Sequence, residues 1–233
     1  MFEELAFAES PLGEISLRKR HDAVLGTELF EVKLGDEFLM SSAFTAGEIA
    51  LAELALKEMH APELHVVVGG LGLGYTANAA LQDKRVASLT VIEALSPVIE
   101  WHEQCLVPLG GALSADPRCR FEHADFFVLA TENNGLANAT VQSPNLILLD
   151  IDHSPRHRLV DSENDFYQPP YLALMAQQLQ TGGLFAMWSN EEADQTFIEV
   201  LEEVFATATA IRVPFDNPYS GGESSNTLYI ARK

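Results

Sequence analysis

The chain has 233 residues, 47% of them hydrophobic and 21% charged, enough to bury one substantial core with a small appendage beside it. Its 14 basic residues face 34 acidic ones, a formal charge of -20 that opposes a broad grip on a phosphate backbone and argues against nucleic acid as a partner. No apolar run approaches the ~18 residues of a membrane span, and the opening MFEELAFAESPLGEI lacks the basic head and apolar stretch of a secretory signal, so a cytoplasmic protein without a membrane partner is expected.

Residues 1–60 carry short alternating stretches, Glu14 to Leu17, Leu29 to Leu34 and Glu37 to Ser41, with Gly35-Asp36 as a turn former, and a small antiparallel sheet is expected there. Thr45-Ala-Gly-Glu48 has the spacing of a capping box and introduces Ile49 to Met59, a helix whose Leu51, Leu54 and Ala55 share one face. From residue 61 to 233 the pattern changes to apolar strand, turn and helix, repeated. His65 to Val68, Leu89 to Ile92, Arg120 to Glu122, Leu146 to Leu149 and Leu184 to Met187 read as strands covered on both faces. Tyr75 to Leu81, Pro97 to Leu106, Pro170 to Leu179 and Glu192 to Phe205 read as the helices between or after them. Ala210 to Val213 and Thr227 to Ala231 read as a closing antiparallel pair around Asn-Pro-Tyr-Ser-Gly-Gly. The fold class is α/β, a Rossmann-like doubly wound and mostly parallel sheet with a small N-terminal β-segment. Cys105 and Cys119 stand among apolar residues and are expected to be buried, reduced thiols, with neither a disulfide nor a metal motif between them.

The chemistry gathers at the expected strand ends. VVVGGLGLGYT runs a strand into Gly69, Gly70, Gly72 and Gly74 before a helix, so backbone N–H groups can approach a ligand closely. About 20 residues further on, Glu93 ends the next strand, where a carboxylate can take both hydroxyls of a ribose. Asp125 follows the third strand and could accept from an adenine amino group, with Phe126 against the ring; a plain helix-capping Asp is the alternative. Asp150 ends the fourth strand, at the sheet edge where open α/β proteins place their ligands, and is the leading contact for the reacting centre.

This order of glycine turn, ribose acid, adenine-side Asp and fourth-strand Asp resembles the class I S-adenosylmethionine-dependent transferases from about His65 onward. More narrowly, the chain resembles the spermidine synthase family. The narrower likeness rests on VVVGGLGLG, on Val-Ile-Glu93 before Ala94-Leu-Ser-Pro-Val-Ile, on Asp116-Pro-Arg118, and on Asp150 followed by Asn164-Asp-Phe-Tyr167. Gly35-Asp36-Glu37-Phe38-Leu39 and the helix after it resemble the family's N-terminal segment. The resemblance implies S-adenosylmethionine or its decarboxylated form as co-substrate, a small-molecule acceptor of amine type, no metal, and a homodimer formed through the N-terminal sheet.

Two departures bear on the reaction. Gly72 stands where the family carries an Asp suited to a decarboxylated donor, so the intact donor is no longer excluded. The family's second active-loop Asp, three residues after the first, is replaced here by His153, and Asp152 comes one residue early. Asp150 is therefore the expected proton acceptor, with Asp152, Tyr167 and Glu48 as supports and His153 as a general-base candidate or a solvated loop residue. Methyl or related transfer is placed slightly ahead of aminopropyl transfer by a spermidine or polyamine synthase.

Other readings stay open. A metal bound by Asp150, Asp152, His153 and His157 is not expected, because such local clusters are common in loops. Trp188, Ser189 and Asn190 end the fifth strand and could line an acceptor site, while 218–222 could form a flap or a simple hairpin loop. Gly72 to Ala77 also satisfies a loose dinucleotide pattern, which keeps an NAD-dependent enzyme in view, and the altered Asp152-His153 segment keeps a non-catalytic nucleoside-binding protein in view.

Overall fold

The computed structural model describes residues 2–140, 142–157 and 165–233. Among them, β1 (Phe2–Ser10), β2 (Gly13–Asp22), β3 (Thr27–Leu34) and β4 (Glu37–Ser41) form an antiparallel meander in the order β1-β2-β3-β4. Its fully buried Ile15, Leu17 and Val32 join the same apolar cluster as α1 (Ala46–Glu58), which follows. Strand β1 escapes sequence patterning because it is an edge strand: its Glu3, Glu4, Phe2 and Phe7 are exposed, so little alternation marks it.

The remaining elements are β5 (Leu64–Gly69), α2 (Tyr75–Leu81), β6 (Val86–Glu93), α3 (Ser96–Glu103), α4 (Gly110–Ala115), β7 (Cys119–His123), α5 (Phe126–Thr131), α6 (Gly135–Ala139), β8 (Leu146–Leu149), α7 (Pro169–Gln178), β9 (Leu184–Ser189), α8 (Gln195–Val204), β10 (Thr207–Asn217) and β11 (Gly222–Arg232). The sheet order is β10-β11-β9-β8-β5-β6-β7, parallel from β9 through β7, with β11 antiparallel to both β9 and β10. The α/β expectation therefore holds, including the antiparallel closing pair. That pair is longer than expected, because the outer part of β10 is a half-exposed edge with little apolar signal.

The central strands are mostly apolar because both faces are covered. Val66 and Val68 face the cluster built with α1 to α4, while Val67 faces the cluster built with α5 to α8. Strand β5 has β6 on one side and β8 on the other, so the chain changes direction across the sheet between them. Such a switch point opens a crevice at the carboxyl ends of the strands, which here are the Gly70 turn and Asp150.

Local signals explain several boundaries. Asp194 caps α8 by accepting from Thr196 N at 2.9 Å, which starts the helix later than its apolar spacing alone suggests. Helix α3 stops earlier than expected, before Cys105, whose φ of 57° cannot continue a right-handed helix. Cys105 is exposed, contrary to the expectation of burial, because that turn directs it outward; Cys119 is partly buried. The capping box is also absent: Thr45 makes no side-chain cap bond, and Glu48 is drawn toward Asp150 instead.

Candidate active site

A cavity of about 690 Å³ lies over the switch point, within the ~300–1,000 Å³ usual for small-molecule sites. Its floor is the turn between β5 and α2. Gly70 and Gly74 there have φ of 93° and 89°, values that favour glycine, and a Cβ at 70 would collide with the carbonyl of Asp150. Asp150 N in turn donates to Gly69 O at 2.8 Å, which ties the end of β8 to the end of β5. Gly70, Gly72 and Gly74 line the cavity, whereas Gly69 stands behind it against the Phe126 ring.

Glu93 closes the turn from the side. Its two carboxylate oxygens accept from Leu71 N at 2.9 Å and Leu95 N at 2.8 Å, so the side chain splices the glycine turn to the start of the next loop. Burial pushes its pKa up, and the surrounding backbone N–H groups oppose the rise. Each carboxylate oxygen retains accepting capacity beyond one amide bond. Asp125 sits at the same end and caps α5, its Oδ1 accepting from Phe127 N at 2.8 Å and Val128 N at 3.3 Å. Both capping bonds go to Oδ1, and Asp125 also lines the cavity, so the capping and ligand-binding readings of Asp125 are compatible. Phe126 is 2% exposed and lines the inner wall, with Phe127 and Phe166 in ring contact beside it.

The polar centre is Asp150. Thr76 Oγ1 donates to its Oδ2 at 2.6 Å, and Glu48, in the first turn of α1, lines the same cavity, its backbone carbonyl 3.3 Å from Thr76 Oγ1. Burial raises the pKa of both acids, and the negative charge of Asp150 raises that of Glu48 further. Beside them, Tyr167 Oη donates to Asp152 Oδ2 at 2.6 Å, and both residues are buried. Half-buried His153 lines the cavity with its ring 6.1 Å from that of His157, and its carbonyl accepts from Asn190 N at 2.7 Å. His157 does not line the cavity, and no three His, Cys, Asp or Glu side chains are arranged to hold a metal among the described residues. Asn164 of the sequence motif lies outside the described residues.

Several lining residues carry no sequence signal. Met40 of β4 lies over the glycine turn, its sulfur 3.0 Å from where a Cβ at position 72 would stand. Phe44 and Phe215 meet with ring centroids 5.3 Å apart, and Tyr219 touches Phe44 edge-on at 5.7 Å, which brings the β10–β11 hairpin over the N-terminal sheet. The hairpin contributes Phe215 to the cavity, while the tip at 218–222 does not line it. Trp188 and Asn190 do line it, and Gly47 of α1 is a glycine because a Cβ there would strike the indole nitrogen of Trp188. Among the described residues, Glu48, Glu93, Asp125, Asp150 and Asp152 line the cavity and no Lys or Arg does.

No family model matches the sequence. The fold is similar to solved spermidine synthases over nearly the whole chain. A spermidine synthase from Thermotoga maritima aligns with a TM-score of 0.71 at 17% identity, covering 99% of this chain and 72% of that one. A spermidine synthase in complex with the transition-state analogue AdoDATO gives 0.71 at 16% identity, with 99% and 73% covered. A probable spermidine synthase from Corynebacterium glutamicum ATCC 13032 gives 0.62 at 16% identity, with 97% and 79% covered. No helix among the described residues is long and apolar enough to cross a membrane.

Proposed function

We propose that this chain transfers a group from an S-adenosyl sulfonium donor to the nitrogen of a small amine. The observation that carries the reading is the Asp150 carboxylate, held by Thr76 at the switch point, with Glu48 lining the same cavity beside a glycine turn and a buried Glu93. In this reading Glu93 takes the ribose hydroxyls, Asp125 Oδ2 and Phe126 meet the adenine, and Asp150 faces the sulfonium end. An ammonium entering the site gives a proton to Asp150, whose pKa burial raises to about 6 so that it is still ionised near neutrality, while Glu48, raised to about 8, keeps its own proton. The freed nitrogen lone pair then bonds to a carbon on the sulfonium sulfur. The carbon–sulfur bond breaks, and its electrons return to sulfur, leaving a neutral thioether. Asp152, oriented by Tyr167, adds negative charge near the entering cation.

Position 72 favours the intact donor and methyl transfer. Gly72 supplies no carboxylate for the amino end of a decarboxylated tail, and Met40 places an uncharged thioether there. A second reading, aminopropyl transfer from the decarboxylated donor, is favoured by a different observation: no Lys or Arg among the described lining residues would pair with the carboxylate of intact S-adenosylmethionine. Calorimetric titration with S-adenosylmethionine, its decarboxylated form and NAD separates these readings. Tighter binding of the intact donor supports methyl transfer, and tighter binding of the decarboxylated donor replaces it with aminopropyl transfer. Binding of NAD alone overturns the transferase reading.

A further inference from the structure

The charges of the cavity are not spread evenly. The carboxylates belong to the first turn of α1 and to the strand-end loops of the large sheet, through Glu48, Glu93, Asp125, Asp150 and Asp152. The opposite wall comes from the N-terminal sheet, the chain just after it, and the closing hairpin. There the lining residues are Pro11, Leu12, Leu39, Met40, Phe44 and Phe215, with Ser41 and Asn226, both uncharged, as the polar exceptions. Two acids of the small sheet are already paired: Arg20 donates to Glu31 at 2.9 Å and to Asp22 at 2.5 Å, and Tyr219 of the hairpin lies beside Asp22.

An amine anchored at Glu48 and Asp150 and extending toward this wall meets apolar carbon and aromatic faces. A second ammonium on the same molecule would be desolvated there with no carboxylate among the described wall residues to offset the loss. A hydrocarbon or ring would instead be removed from water and packed against Met40, Phe44 and Phe215.

We infer that the acceptor is a primary amine with one positive charge and an apolar, ring-bearing or alkyl tail, its nitrogen at Glu48 and Asp150 and its tail against Met40, Phe44 and Phe215. This rests on the transferase reading for the reaction but not for the preference among amines, which is a property of the two walls. Single charge separates this acceptor from a diamine, whose far nitrogen needs an anion.

The test titrates the intact protein by calorimetry with 5′-methylthioadenosine, and separately with 2-phenylethylamine, hexylamine and 1,4-diaminobutane, each alone and at saturating nucleoside. The two monoamines are expected to bind at least about tenfold more tightly than the diamine. Phe215→Leu and Phe44→Ala should each weaken 2-phenylethylamine by about tenfold while leaving 5′-methylthioadenosine affinity within about twofold. Met40→Glu, which puts an anion on the wall, should move the preference toward 1,4-diaminobutane. Diamine binding equal to or tighter than monoamine binding overturns the inference, as does failure to bind any of the three, or indifference of 2-phenylethylamine to both Phe variants. Monoamine preference without any nucleoside binding supports the inference and overturns the transferase reading, so the two fail separately.

Discussion

Replacing Glu48 by Gln should stabilise the protein, and the gain should grow with pH. In the unfolded chain Glu48 ionises near its ordinary 4.5, whereas in the fold burial and the neighbouring Asp150 charge hold its proton to higher pH. Across that window the folded state binds more protons than the unfolded one, so stability falls as pH rises through the raised value. Gln keeps the shape and removes the charge, which also relieves Asp150. Each pKa unit of difference corresponds to about 1.4 kcal/mol, and with partial solvation of a half-buried site the expected gain is about 1–3 kcal/mol at pH 8. For a chain of this size that is a rise of about 3–10 °C in Tm, shrinking toward zero at pH 4.5. Thermal melts followed by circular dichroism from pH 4.5 to 8.5 give the measurement, with Glu53→Gln on the exposed side of the same helix correcting for the loss of one charge from a chain at -20. An equal shift at both ends of the range, or a loss of stability at pH 8, would refute the argument that the two carboxyls repel in a poorly solvated site. A double-mutant cycle with Asp150→Asn should return a coupling of about 0.5–3 kcal/mol.

Glu93→Ala should weaken S-adenosylmethionine by about 1.5–3 kcal/mol in calorimetry, because it removes charge-assisted bonds to ribose; unchanged affinity removes Glu93 from the nucleoside site. Gly70→Ala places a Cβ against the Asp150 carbonyl at a φ of 93°, and chemical denaturation should show a loss of about 2–4 kcal/mol. Iodoacetamide at pH 8 should label exposed Cys105 well before Cys119, whose thiol is pushed up to about 12 by burial and by Asp116; peptide mapping that finds the order reversed contradicts the orientation of the Cys105 turn. Tyr167→Phe should reduce turnover more than it changes nucleoside affinity, since its hydroxyl acts on Asp152 at 2.6 Å; equal effects on both would place it in donor binding.

What could be read from the sequence follows from how local each signal is. Strands β5 and β8 were legible because strands covered on both faces are nearly continuous apolar runs, as Val66–Val68 and Leu146–Leu149 are. The residues that end those strands inherit their place from the topology, so Asp150 and the glycine turn could be assigned to one crevice before any contact was known. Glu48 was harder. Its spacing from Thr45 imitates a capping box, and only the approach of α1 to the end of β8 turns its side chain toward Asp150. Thr76 carries no motif of its own and becomes important because the glycine turn delivers it within 2.6 Å of Asp150. Met40, Phe44 and Phe215 were illegible for a stronger reason. They come from different elements, their role depends on how the small sheet and the terminal hairpin lie over the turn, and no local period encodes that meeting.

The division of labour between the two walls gives the negative charge of the chain a more specific meaning than solubility. A surface at -20 draws cations of any size toward the molecule, but long-range attraction does not choose among them. Choice requires a place where a charge loses its water and either finds a partner or does not. The switch point supplies partners through Asp150, Glu48 and Asp152, while the wall of Met40, Phe44 and Phe215 withholds them. Under that inference the small N-terminal sheet has a chemical role besides covering the core. On the same inference acceptor preference can change through Phe44 and Phe215 while the nucleoside half of the site stays as it is, whereas Met40, whose sulfur lies over Gly72, bears on both halves.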